Sequence, residues 1–126
     1  MNSKEFVARS GLVISTVRYY EKIGLLPAPV RGDNNYRSYE EQHLLLARFI
    51  KDMSLSGFSL RDIGGFLEDL RQKHDLTDVA KANLRDRLVE IDQQIEQLGQ
   101  LRAILSDLLE SQSELVSQLA ELQDQL

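Results

Sequence analysis

Apolar residues recur at helical spacing along most of this chain, with one short interruption by strand-like alternation. Asn2 or Ser3 can cap a first helix running to about Ser10, with Phe6, Val7 and Ser10 facing inward. Gly11 breaks it where two helices need a tight turn. A second helix spans about Ile14 to Ile23. At 100° per residue Val13, Val17 and Tyr20 form one stripe, and Ser15, Arg18, Tyr19 and Lys22 cluster on the opposite one. Gly24 stops this helix, and Pro27 and Pro29 prevent it from resuming. Pro29–Arg31 and Tyr36–Ser38, joined by Gly-Asp-Asn-Asn, suit a small hairpin with Tyr36 and Ser38 on one side and Arg37 and Tyr39 on the other.

A third helix is expected from Glu40 to about Met53. Leu44, Ala47 and Ile50 form its spiral, and Leu45, Leu46 and Phe49 widen the apolar face. Ser59 and Asp62 make a capping box for a fourth helix that buries Ile63, Phe66, Leu67 and Leu70. Gly64–Gly65 inside it implies a close helix contact or a bend. Thr77 or Asp75 caps a long helix reaching about Glu110. Leu84, Leu88, Ile91, Ile95 and Leu98 step along it by 4, 3, 4 and 3, and after a change of register at Gly99 the seam resumes at Leu101, Leu105 and Leu108. A seam of that length needs a partner helix, from a folded-back tail or a second chain; paired copies suit a head with one reading helix. Ser111–Ser113 reads as a turn, and Glu114–Leu126 as a short helix packing through Leu115, Leu119, Leu122 and Leu126.

The fold class that follows is mainly α: a winged helix-turn-helix head with a small β-hairpin wing, plus a long C-terminal dimerisation helix. The expected divisions are 1–74 for the head, 75–110 for the dimerisation helix, and 111–126 for a short terminal helix or tail.

Charge sharpens this picture. The whole chain carries a net −5, but residues 1–39 hold six basic side chains and three acidic ones, a net +3. A basic head on an acidic stem suits a protein that offers one end to phosphate. Arg18, Tyr19, Lys22 and Ser15 present two cations, a phenol and a hydroxyl to a partner, and Arg31 and Arg37 in the hairpin are natural phosphate ligands. An ordinary solvated face beside Glu21 would show the same pattern. There is no cysteine, so these residues provide no disulfide, thiolate metal site or iron–sulfur cluster. His43 and His74 sit on separate elements and suit structural or solvated roles. No apolar run reaches membrane-spanning length, and the N-terminus lacks an apolar signal core, so no membrane partner and a cytoplasmic location are expected.

Val-Arg-Tyr-Tyr-Glu-Lys-Ile-Gly-Leu-Leu-Pro-Ala-Pro-Val-Arg, then Asn-Tyr-Arg-Ser-Tyr, then Gly-Phe-Ser-Leu-Arg-Asp-Ile, in this order, resemble the MerR family of bacterial transcription regulators over residues 3 to about 110. The resemblance implies a second helical wing within residues 1–74, and a homodimer whose long helices pair antiparallel and which binds a palindrome in double-stranded promoter DNA. It implies that an effector then twists and kinks the duplex so that RNA polymerase can use both promoter elements. It adds Tyr20 to the contacts and gives Arg37 a phosphate. The expected DNA-binding set is Ser15, Thr16, Arg18, Tyr19, Tyr20, Lys22, Arg31, Tyr36 and Arg37.

Several positions depart from the family pattern. Val13 replaces a capping Ser, so Ser15 or Thr16 is a candidate alternative start for the reading helix. Ser15 replaces a common basic residue, Asn35 a wing Gly, and His43 an Asp. Metal-sensing members place cysteines near the start of the long helix and after its end, where this chain has Thr77 and Gln112. The expected effector is therefore a non-thiol small molecule, with no resident cofactor. The chain length leaves no separate drug-binding domain, so the sensor is expected either as a small pocket between the stem and the partner's head or not at all. No nucleophile–base constellation or phosphate-cradling glycine loop appears, and Glu40–Glu41 and Glu68–Asp69 splay around helices, so no enzyme is expected. The competing reading is a coiled-coil adaptor whose head binds protein, which predicts no salt-dependent DNA affinity.

Overall fold

Asn2 starts the first helix, α1 (Ser3–Ser10): the Glu5 N–H donates to its side-chain oxygen at 2.8 Å. The computed structural model describes residues 1–126 as two units, Met1–Leu76 and Thr77–Leu126. In the first unit α1 ends at Gly11, whose φ of +74° is easily reached only without a Cβ. The Arg9 carbonyl left at that end accepts from the Arg48 guanidinium at 2.9 and 3.2 Å. Then follow α2 (Ile14–Lys22), a hairpin of β1 (Val30–Arg31) and β2 (Arg37–Ser38), α3 (Glu41–Leu55) and α4 (Leu60–Lys73).

The core of this unit draws on all four helices and the segments between them: Phe6, Leu12, Val17, Tyr20, Leu26, Tyr39, Leu44, Ala47, Ile50 and Ile63. Leu44, Ala47 and Ile50 recur at steps of three, so α3 lies along the core with one stripe. The apolar face is narrower than the pattern suggested. Leu45 is 74% exposed and Leu70 43%, so neither belongs to the buried set expected of it. Val13 is a further correction: as the extended N-cap of α2 it points outward, and Leu12 is buried in its place. The helix starts at Ile14 without a side-chain cap, so neither Ser15 nor Thr16 moves its beginning.

Ser59 and Asp62 close their capping box: the Asp62 N–H donates to Ser59 Oγ at 3.0 Å and the Ser59 N–H to the Asp62 carboxylate at 3.4 Å. Ser59→Ala should cost about 1 kcal/mol of unfolding free energy, read from a urea midpoint. Of the glycine pair, Gly64 carries the packing constraint. A Cβ there would stand 3.3 Å from the Leu25 side chain, whereas one on Gly65 would meet nothing within 4 Å. The close neighbour is thus the segment after α2 rather than another helix.

In the second unit, α5 (Asp78–Leu109) is capped by Thr77, whose hydroxyl accepts from the Ala80 N–H at 3.2 Å. It is helical through Gly99. Leu84 and Ile91 are half-buried, whereas Leu88, Ile95, Leu98, Leu101, Leu105 and Leu108 are exposed at between 48% and 65%. After a turn, Ser113 caps α6 (Glu114–Asp124), and its hydroxyl also donates to the Asp107 carbonyl at 3.0 Å. The expected packing face of α6 is mostly open: Leu115 is half-buried, but Leu119, Leu122 and Leu126 are exposed. No helix is long and apolar enough to cross a membrane.

Candidate nucleic-acid interface

The turn between α1 and α2 follows from local chemistry. Gly11 takes the left-handed conformation, and the Ser10 hydroxyl accepts from the Leu12 N–H at 3.2 Å, which sets Leu12 inward and starts α2 two residues later. Val17 and Tyr20 then bury, which leaves Ser15, Arg18, Tyr19 and Lys22 on the open face. Tyr19 is 50% exposed. Thr16 is half-buried at the margin. Tyr20 is buried at 7% exposure, packing where the 100° periodicity puts it. Gly24, at φ +81°, ends the segment, and the Leu25 and Leu26 N–H groups donate to the Tyr20 carbonyl at 3.0 and 3.2 Å.

The wing is built by its turn. Asn35 stands at φ +64°, a conformation that Asn tolerates better than other side-chain-bearing residues. Its N–H donates to the Gly32 carbonyl at 2.8 Å, and the Tyr36 N–H donates to Asn34 Oδ1 at 3.2 Å. The strands pair antiparallel with Val30 opposite Ser38 and Arg31 opposite Arg37. Arg31 donates to the Asn35 carbonyl at 3.0 Å, so its guanidinium lies along the turn, and Tyr36 is 73% exposed at the tip.

Arg37 is not a free cation. Its guanidinium is ion-paired with Glu21 of α2, and the other oxygen of that carboxylate accepts from the Tyr39 hydroxyl at 2.8 Å. Tyr39 is buried, with its ring stacked on Phe6 at 4.1 Å and meeting His43 edge-on at 5.8 Å. Burial, and then the Glu21 carboxylate, hold the phenol above its ordinary pKa, while the neighbouring Tyr39 and Glu21 raise that of Arg37. His43 has a structural place: its Nδ1 accepts from the Glu40 N–H at 3.1 Å at the start of α3.

Together these elements bound a polar cleft of about 300 Å³ lined by Ser3, Arg18, Arg31, Asn35, Tyr36 and Arg37. Arg18 comes from the second helix of the helix-turn-helix, Arg31 and Arg37 from the wing, and Ser3 from the first turn of α1. Ser15, Thr16, Tyr19, Tyr20 and Lys22 do not line it. Sequence reasoning missed Ser3 and Asn35 as lining residues. The only available signal for Ser3 was its place at a helix N-terminus, where backbone N–H groups favour anions.

Residues 2–39 match the model of "MerR family regulatory protein", and residues 47–108 match "MerR, DNA binding". The chain is 39% identical over 113 residues to the HTH-type transcriptional regulator HmrR of Rhizobium leguminosarum bv. viciae, an alignment covering 86% of this chain and 84% of that one. It is 34% identical over 110 residues to the mercuric resistance operon regulatory protein of Bacillus cereus, covering 84% and 80%. Among solved structures it is similar to HiNmlR, a MerR family regulator lacking the sensor domain and bound to promoter DNA. The TM-score is 0.68 at 22% identity, with 88% of this chain and 87% of that chain covered, a likeness of fold. The chain therefore belongs to the MerR family and is a DNA-binding transcription regulator rather than an enzyme.

Proposed function

We propose that two copies of this chain bind a palindromic promoter site, strain the duplex there, and respond to an effector that uses no thiol from these residues. The observation that carries the DNA-binding face is the shared cleft: cations of the reading helix and of the wing converge on one polar surface. A phosphate in that cleft would fix the register while the exposed side of α2, with Ser15, Tyr19 and Lys22, lies toward base edges. Tyr36 belongs to the cleft lining, and Thr16 lies half-buried at the margin of the exposed side of α2. RNA polymerase then uses the strained promoter, as the family resemblance implies.

Pairing through α5 is supported by its row of exposed leucine and isoleucine side chains, which a second copy would cover. The effector proposal rests on the side chains present. There is no cysteine in the chain, and the Thr77 side chain is occupied as the cap of α5. The mercuric regulator is a relative by sequence, but a soft-metal thiolate site cannot be assembled from these residues.

Arg18→Ala should weaken binding to a duplex selected by the wild-type protein from a random pool by about 1–3 kcal/mol. Gel-shift titration at fixed salt reads this, with footprinting on the same duplex. An unchanged Kd would remove α2 as the reading helix.

A further inference from the structure

The Glu21 side chain, 9% exposed, is ion-paired with a residue of the cationic cleft, and it belongs to the reading helix while both of its partners belong to the wing side. One carboxylate oxygen takes the Arg37 guanidinium and the other takes the Tyr39 hydroxyl at 2.8 Å. Tyr39 is itself fixed on several sides. Its ring stacks on Phe6, its N–H donates to the Met1 carbonyl at 2.7 Å, and its carbonyl accepts from the Met1 amino terminus at 2.6 Å. Arg37 has a different problem. It stands directly opposite Arg31 in the two-residue ladder, where like charges repel, and a hairpin this short does not hold itself.

We infer that Glu21 is the positioning residue for DNA recognition: it latches the wing to the reading helix and fixes where the Arg31–Arg37 pair stands relative to Arg18. The inference rests on the DNA-binding face proposed above. Glu21 touches no DNA in this assignment. It acts through Arg37, by setting its direction, and through Tyr39, by tying α2 to the ring that anchors the end of β2. The carboxylate also neutralises one of the two facing guanidinium groups, so the wing holds its register without DNA. A nearly buried carboxylate with two side-chain donors is a costly arrangement unless its geometry is satisfied, and here it is.

The alternative is that Glu21 only lowers the cleft's charge. The two roles differ in sign. A latch contributes to specific binding, which needs helix and wing in one fixed relation, and contributes little to binding of arbitrary duplex, which needs only charge. A charge-lowering group opposes both.

The test compares wild type and Glu21→Gln on the duplex selected by the wild-type protein and on random-sequence duplex of equal length, across a salt series. The expected result is about tenfold weaker binding to the selected duplex and less than twofold change on random duplex, with the folded state retained by circular dichroism. Tyr39→Phe, which removes one donor and keeps the Arg37 pair, should show a smaller loss in the same direction, and it serves should Glu21→Gln fail to fold. Tighter binding to both duplexes with a steeper salt dependence would overturn the latch. So would a lowered melting temperature with specific affinity unchanged. A wild-type protein that selects no duplex would overturn the DNA-binding face itself, and the latch with it.

Discussion

Phe6→Ala is expected to lower the unfolding free energy of the 1–76 unit by about 3–5 kcal/mol, a large share of what a unit of that size possesses. Phe6 has no exposed surface, and its ring stacks on Tyr39 at 4.1 Å with the planes 6° apart. Removing it loses the transfer energy of a buried aromatic, leaves a cavity, and deletes a stacking contact worth about 0.5–1.5 kcal/mol beyond area. The cavity has little way to collapse, because Tyr39 is tethered at its N–H, carbonyl and hydroxyl. Phe6→Leu, which refills most of the space, should cost only about half as much. Urea denaturation followed by circular dichroism measures both. A loss under about 1 kcal/mol for the alanine variant would mean that the stack does not organise the head.

That result bears on recognition because Tyr39 joins the core to the cleft. The stack on Phe6, the Glu21 carboxylate and Arg37 form one chain of contacts from the interior of α1 to the wing. Destabilising the interior should therefore weaken specific DNA binding before it unfolds the protein.

The elements were legible because their signals are local. Gly11, Gly24 and the Ser59–Asp62 box punctuate the chain in ways that need no tertiary context, and α2 buries Val17 and Tyr20 as a period of 3.6 requires. What periodicity could not give was the choice among apolar side chains. Leu12 and Val13 are adjacent and equally apolar, and only the extended conformation of Val13 as N-cap decides that Leu12 goes inward. Leu45 and Leu70 carry the right residue types on the right helices, yet remain exposed because a helix face can be wider than the surface that covers it. At the candidate site the cations were visible as residue types, but their partners were not. The pairing of Glu21 with Arg37 spans 16 positions and joins a helix to a strand, so no spacing rule reports it. For Tyr20 the resemblance and the face analysis pointed in opposite directions, and burial followed the face.

Leu88→Asp combined with Ile95→Asp is expected to give a protomer that sediments as a monomer, where the unsubstituted chain sediments at twice the mass. Both residues lie on the 4-3 seam of α5, 57% and 61% exposed in the single chain. A carboxylate at such a position costs little while the helix faces water and a great deal once a second apolar helix covers it, because charge must then be desolvated without a partner. The substitutions therefore discriminate between states instead of simply unfolding α5, and circular dichroism should show the helix content mostly kept. Two linked heads bind adjacent half-sites with an effective concentration that raises overall affinity by about 10²–10⁴-fold over one head. The monomeric variant should lose a factor in that range on a palindromic duplex, and little on a single half-site. Persistence of the dimer in the doubly substituted chain would place the interface elsewhere than along Leu84, Leu88, Ile91, Ile95, Leu98, Leu101, Leu105 and Leu108.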